Sequence, residues 1–193
     1  FAATRSNPAS LVGLLNDQSN QVRRAAYLAI GASEQIGVAK RDALPNQSLM
    51  TNYETEPDPG IHSAIRWVMQ QRHLQDDLKS IDAKLAKLGK QARVNRQWYV
   101  NLIGQTLLVH GPVLDKFNMG SPAMERGRHP SERLHPVRIE RVFAIASCET
   151  TIGQYKQFEE PPERCQGPTD SPVHYITWQR AAAYCNWLSE LNG

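Results

Sequence analysis

The chain has 193 residues, 40% of them hydrophobic and 21% charged, ordinary globular proportions that allow a real core and one large or two small domains. Its 22 Lys and Arg against 19 Asp and Glu leave a formal charge of +3, too little to argue for a nucleic-acid partner. The longest apolar stretches, such as "LLVHGPVL", are broken by His110, Gly111 and Pro112 and are far too short for a membrane-spanning helix.

The chain begins with Phe1 and its first twenty residues hold no apolar signal region, so the expectation is a segment of a longer protein. Cys148, Cys165 and Cys185 are odd in number and form no CxxC pair. Burial as packed thiols is the expected state of Cys148 and Cys185.

From Asn7 to about Gly89 the sequence reads as helix. Asn7-Pro8 is a helix start, with Leu11, Leu14 and Leu15 on one face. The run "NQVRRAAYLAIGA" predicts a second helix capped by Asn20, with Val22, Ala25, Ala26, Ala29 and Ile30 as its apolar face and Gly31 as its terminator. An echo follows: "NQVRRAAYLAI" from Asn20 aligns with "PGIHSAIRWVM" from Pro59, 39 positions on, pairing Val22 with Ile61, Ala25 with Ala64 and Leu28 with Trp67. That interval is near the one expected of helical-pair repeats. The run "VRRAAYLAIG" resembles the second helix of a HEAT repeat, where small residues allow close packing; an irregular helical domain uses alanine faces in the same way.

In "HLQDDLKSIDAKLAKLG", Leu74, Leu78, Ile81, Leu85 and Leu88 form a short heptad seam, read as packing against the preceding helices rather than as a dimer interface. Lys79, Lys84, Lys87, Lys90, Arg93 and Arg96, partly offset by Asp76, Asp77 and Asp82, are read as a solvated face. The polar stretch from Gly89 to Gln97 is placed between two domains, residues 1–97 and 98–193.

After Trp98 the pattern changes. "QTLLVHGPV" and "HPVRIERVFAIAS" read as strands, the second alternating through Val137, Ile139, Phe143 and Ile145, with a long Gly/Pro/Ser-rich loop between them. Thr151 and Gln154 fit a capping box, opening a short helix with Ile152, Tyr155 and Phe158 on one side. Val173–Thr177 reads as a strand, and Thr177 as the cap of a helix reaching about Leu191 that points Ala181, Tyr184, Cys185, Leu188 and Leu191 inward.

Three landmarks now stand in order: "NMGSP", "HPVRIERVFAIASCETTIGQYKQF" and "SPVHYITWQRAAAYCNWL". Together they resemble the formylglycine-generating enzymes, or sulfatase-modifying factors. The residues that carry the resemblance are Met119, Gly120 and Ser121; Phe143, Ile145, Glu149, Thr151, Tyr155 and Phe158; then Pro172, Val173, Ile176, Trp178, Ala181, Tyr184, Cys185 and Trp187. Thr150 and Ile176 depart from the commoner valines, and the loop from Glu159 to Asp170 is short. The order of a helical segment before such a domain is similar to that of some multidomain bacterial proteins.

The resemblance implies an α+β chain: an all-α HEAT-like module, then the N-terminal part of a mixed, C-type-lectin-related domain with little regular secondary structure. It implies an oxidoreductase family that converts a protein cysteine to formylglycine with oxygen, with copper on two cysteines and with structural calcium. In that family those ligands follow the Tyr-Cys-x-Trp helix, so they are expected beyond Gly193. The sequence therefore nominates no catalytic, cofactor-binding or metal-ligating residue in this segment, and the implied partner is a protein or peptide, either a sulfatase-type segment with its cysteine or a regulatory protein. Locally, Cys185 reads as a packed thiol rather than a copper ligand, and Glu149 as a cap or hydrogen-bond acceptor rather than a general base. His129, His135 and His174 lack a second ligand at metal spacing, and His62 and His73 do not form an iron-binding H-x-x-x-H-x-E. A non-catalytic binding module on a helical scaffold is the alternative reading.

Overall fold

The computed structural model describes residues 8–35, 44–88 and 96–192. It is a mixed α and β chain, with helices first, two small sheets next and helices again after them. Two compact units are present: Phe1–Leu108 with Ala146–Gly193, and Val109–Ile145.

In the first unit, α1 (Pro8–Gly13) runs through a 3-10 turn (Leu14–Asn16) towards α2 (Asn20–Gln35), and α3 (Asn46–Thr55) precedes α4 (Pro59–Gln71). α2 and α4 lie side by side and parallel: Asn20 donates to Asp58 at their starts, Trp67 rests on Gly31 midway, and Arg72 meets Glu34 at their ends. Those partners are 38, 36 and 38 positions apart, close to the 39-residue interval of the sequence echo. The core is made by Tyr27 and Ile30 of α2, Leu49 and Tyr53 of α3, Ile61, Ile65, Val68 and Met69 of α4, and Leu78 of α5 (Gln75–Leu88). Each fully buried side chain of this kind contributes roughly 1.5–3 kcal/mol.

Several expectations for this region are corrected. Gly31 does not end α2, which continues to Gln35; the glycine is there because the Trp67 ring occupies the space a Cβ would take. Asn20 does not cap its own helix but spends its side-chain amide on Asp58 and Arg23. Ala25 and Leu14 are exposed, and Tyr27, which sequence reasoning passed over, is buried. Asp82 is buried too, because it pairs with Arg66 instead of facing water. The seam of α5 divides: Leu74, Leu78 and Ile81 pack into the helical core, Leu85 packs with Trp98 and Val100, and Leu88 is exposed. The cap at Asn7, and Lys90 and Arg93, lie outside the described residues.

β1 (Trp98–Val100), β2 (Thr106–His110) and β5 (Phe143–Ala146) form a sheet in the order β1-β2-β5, with β1 and β2 antiparallel. β3 (Val113–Met119) and β4 (His135–Ile139) form an antiparallel ribbon with a register shift between Val113 and Phe117. "QTLLVHGPV" is thus not one strand, since Gly111-Pro112 divides β2 from β3. "HPVRIERVFAIAS" likewise splits at residues 140–142 into two strands of different sheets. The loop between β3 and β4 is tied by a bridge between Ser121 and Arg133, and Gly120, at φ +102°, sits where a Cβ would meet the Arg133 carbonyl oxygen at 2.5 Å.

In the C-terminal part of the first unit, α6 (Ile152–Tyr155) has the expected capping box in full: the Thr151 hydroxyl accepts from Gln154 N and the Gln154 side chain accepts from Thr151 N. Thr177 caps α7 (Trp178–Asn192) through its hydroxyl and its carbonyl. Val173–Thr177 is not a strand; one bridge joins Pro172 to Thr151, and Tyr175 adopts φ +59°. Only part of the expected inward face of α7 is covered. Tyr184 is buried and Leu188 half-buried, whereas Ala181 and Cys185 are exposed and Trp178 is 78% exposed.

Candidate functional site

Polar chemistry concentrates in the first unit, where α3, α4 and α5 meet β1 and the turn before β2. His62 of α4 is the centre of a ring stack. Tyr53 lies on one face with centroids 4.1 Å apart and Trp98 on the other at 3.7 Å, and the Arg96 guanidinium lies over the Trp98 ring, 5.0 Å from its centroid. The His62 Nδ1 is 2.9 Å from the Tyr53 carbonyl oxygen, which holds the proton on that nitrogen, and Nε2 is 3.5 Å from the Thr106 hydroxyl. Burial pushes the imidazole down to about 3. A neutral ring with both faces covered is a structural element, not a proton shuttle.

Beside it the Tyr53 hydroxyl donates to Asp82 at 2.7 Å, and Arg66 Nη1 bridges Tyr53 and the other Asp82 oxygen at 2.6 and 2.7 Å. Burial pushes the Tyr53 hydroxyl well above its ordinary range, so it stays a donor. On the outer side of this network is a cavity of about 280 Å³ between α5 and the turn at residues 101–104, bordered by Arg66, Lys79, Asp82, Leu102, Ile103 and Gln154.

The turn itself is fixed from below. Asn101 Oδ1 accepts the N–H groups of Ile103 and Gln105, and Gly104 supplies the positive φ, +75°, that the reversal needs. Gln105 is buried and carries the network onward: its Oε1 accepts from Asn101 Nδ2 at 3.0 Å, and its Nε2 donates to the Tyr184 hydroxyl at 3.0 Å and to Thr150 Oγ1 at 3.3 Å. Burial also raises the Tyr184 hydroxyl, which therefore remains neutral. These groups are matched to one another. They offer a small cationic and apolar cavity, but no activated nucleophile or poised base.

The residues singled out from the sequence fall elsewhere. Cys148 and Cys185 are exposed, against the expected burial, and Cys165 is buried; for Cys185 the reason is that the side of α7 that turns inward is the one carrying Tyr184 and Leu188. Cys165 Sγ accepts the His174 N–H at 3.4 Å and lies 3.6 Å from His174 Nδ1, a pairing that no spacing rule suggested. Glu149 is exposed and is not the cap of α6; Thr151 takes that place. His129 pairs with Ser131 and His135 with the Arg133 carbonyl, both exposed. Among the described residues no group of three or more His, Cys, Asp or Glu side chains is arranged to hold a metal ion.

Four of the residues that carry the resemblance meet in one place. Tyr155 and Phe158, from one of the three landmarks, pack with Tyr184 and Trp187, from another, at centroid distances of 5.4 to 5.7 Å. Sequence reasoning missed the His62 stack and the Gln105 network, which have no local pattern. No family model, curated protein or solved structure matches the chain.

Proposed function

We propose that the chain is part of a formylglycine-generating-enzyme-like protein, with HEAT-like helical pairs as a scaffold for a protein partner and the later residues as the N-terminal portion of the enzyme-like domain. The observation that supports this reading is the aromatic cluster of Tyr155, Phe158, Tyr184 and Trp187, which gives these four of the residues that carry the resemblance a common packing role. On this reading the described residues hold the domain together, and the oxidation of a protein cysteine to formylglycine belongs to the complete domain. The experiment is incubation of the complete polypeptide, loaded with Cu(I), with oxygen and a peptide containing Cys-x-Pro-x-Arg. Formylglycine read by mass spectrometry supports the enzyme. An intact protein that binds no Cu(I) and leaves the peptide unoxidised overturns it.

The second reading, a non-catalytic binding module on a helical scaffold, is favoured by the helical half. α2 and α4 stack in parallel at a near-constant interval, the packing from which repeat scaffolds build partner surfaces. Affinity capture of a partner by the intact chain, without copper-dependent oxygen consumption, selects this reading. Oxygen consumption with no partner for either half rejects it.

A further inference from the structure

The shift of 39 positions relates the two helical pairs in their hydrogen bonds as well as their helices. In front of α2, Asp17 Oδ1 accepts the N–H of Ser19 at 2.8 Å; 39 positions later, in front of α4, Glu56 Oε1 accepts the N–H of Asp58 at 3.0 Å. The same shift carries residues 8–16 onto 47–55, which lie in α3, and Leu28 onto Trp67. In the second pair these positions face α2: Glu56 lies 3.6 Å from Arg23, and the Trp67 ring covers Gly31.

Their counterparts in the first pair face solvent. Asp17 is exposed, and Gln21, Ala25, Leu28 and Ala32, spaced 4, 3 and 4, form one exposed face of α2. On it Leu28, 40% exposed, is set between two alanines.

We propose that the outer face of α2 docks a helix of a partner protein that runs parallel to α2 and presents what α2 presents to α4. That is a glycine or alanine against Leu28, and a basic residue eight positions earlier against Asp17, as Arg23 precedes Gly31. The proposal rests on the scaffold reading of the helical half, and it continues the α2–α4 interface by one more step. A second copy of this chain does not supply the helix, because its own α4 already covers Gly31 and pairs with Arg23 through the residues leading into it. Seating Leu28 provides most of the affinity, since an exposed ion pair at Asp17 adds little, and Asp17 sets direction and register.

The probe is a helix-stapled, fluorescein-labelled peptide with the sequence of Asn20–Gln35, which carries the required Arg23 and Gly31. Titrated with the intact chain and read by anisotropy, it is expected to bind saturably. Binding is expected to weaken about tenfold with the Leu28→Glu chain or with a Gly31→Leu peptide, and a few-fold with the Asp17→Lys chain. An Arg23→Glu peptide is expected to recover the loss at Asp17→Lys, which a merely unfolded variant does not allow. No saturable binding, or binding that Leu28→Glu and Gly31→Leu leave unchanged, overturns the proposal. So does a dimer of the free chain, seen by light scattering, that Leu28→Glu dissociates. If the intact chain captures a partner and Leu28→Glu captures it equally, the scaffold reading stands and this placement falls.

Discussion

Trp67 rests on the backbone of Gly31, so that a Cβ built on the glycine would lie 2.5 Å from both Cε3 and Cζ3 of the indole. One residue without a side chain thus sets how near α2 and α4 approach. Gly31→Ala gains about 1 kcal/mol of helix propensity, but overpacking against a ring costs roughly 1–3 kcal/mol. The expected outcome is net destabilisation in urea unfolding, recovered in large part when Gly31→Ala is combined with Trp67→Leu. If Gly31→Ala alone stabilises the protein, the contact does not fix the spacing.

His62 gives the fold a defined acid sensitivity. Its folded value, about 3, lies below the ordinary histidine value of 6.5, so the unfolded chain binds the proton more readily. Stability contributed by the neutral ring is therefore complete above about pH 6.5 and is lost progressively as pH falls towards 3, with a total of roughly 5 kcal/mol. Denaturant midpoints between pH 7 and pH 4 are expected to fall less steeply in His62→Phe than in the unsubstituted protein. Equal slopes would refute the assignment.

Arg72 and Glu34 form an ion pair at 2.6 Å, with each side chain 2% exposed, and Arg72 Nη1 also donates to the Leu44 carbonyl oxygen. Removing one member strands the other charge away from water. Arg72→Ala and Glu34→Ala are each expected to cost about 3–5 kcal/mol. The exposed pair Lys79–Asp76 serves as the control, and Lys79→Ala is expected to change stability by less than about 0.5 kcal/mol. Thermal unfolding of the three variants makes the comparison.

The cysteines are expected to react in two classes. Cys148 and Cys185, both exposed, should modify quickly with a thiol-specific reagent in native buffer, and Cys165, 7% exposed, only when the protein opens. Peptide mapping after a short pulse of alkylating reagent reads the order directly. Rapid labelling of Cys165 would mean that the loop carrying it opens readily.

Local chemistry was legible in the sequence. The Thr151 capping box and the Thr177 cap need only neighbouring residues, and both are formed as read. Ile30, Ile61 and Leu78 likewise take the core positions that helical spacing gives them. The 39-residue echo lies close to the 36 to 38 positions that separate the partners along α2 and α4.

What only the tertiary structure decided is which partner each side chain meets. The sequence placed Asp82 among solvated charges and made Gly31 a helix stop, because both are the commoner uses of those residues; Arg66 and Trp67, arriving from another helix, gave them different ones. Cys185 has a helical spacing suited to burial, yet the face of α7 that is covered is chosen by Tyr184, whose hydroxyl reaches Gln105 79 positions away. Burial depends on the elements packed against a residue. Spacing along the chain sets a helix's faces, and long-range contacts choose the one that is covered.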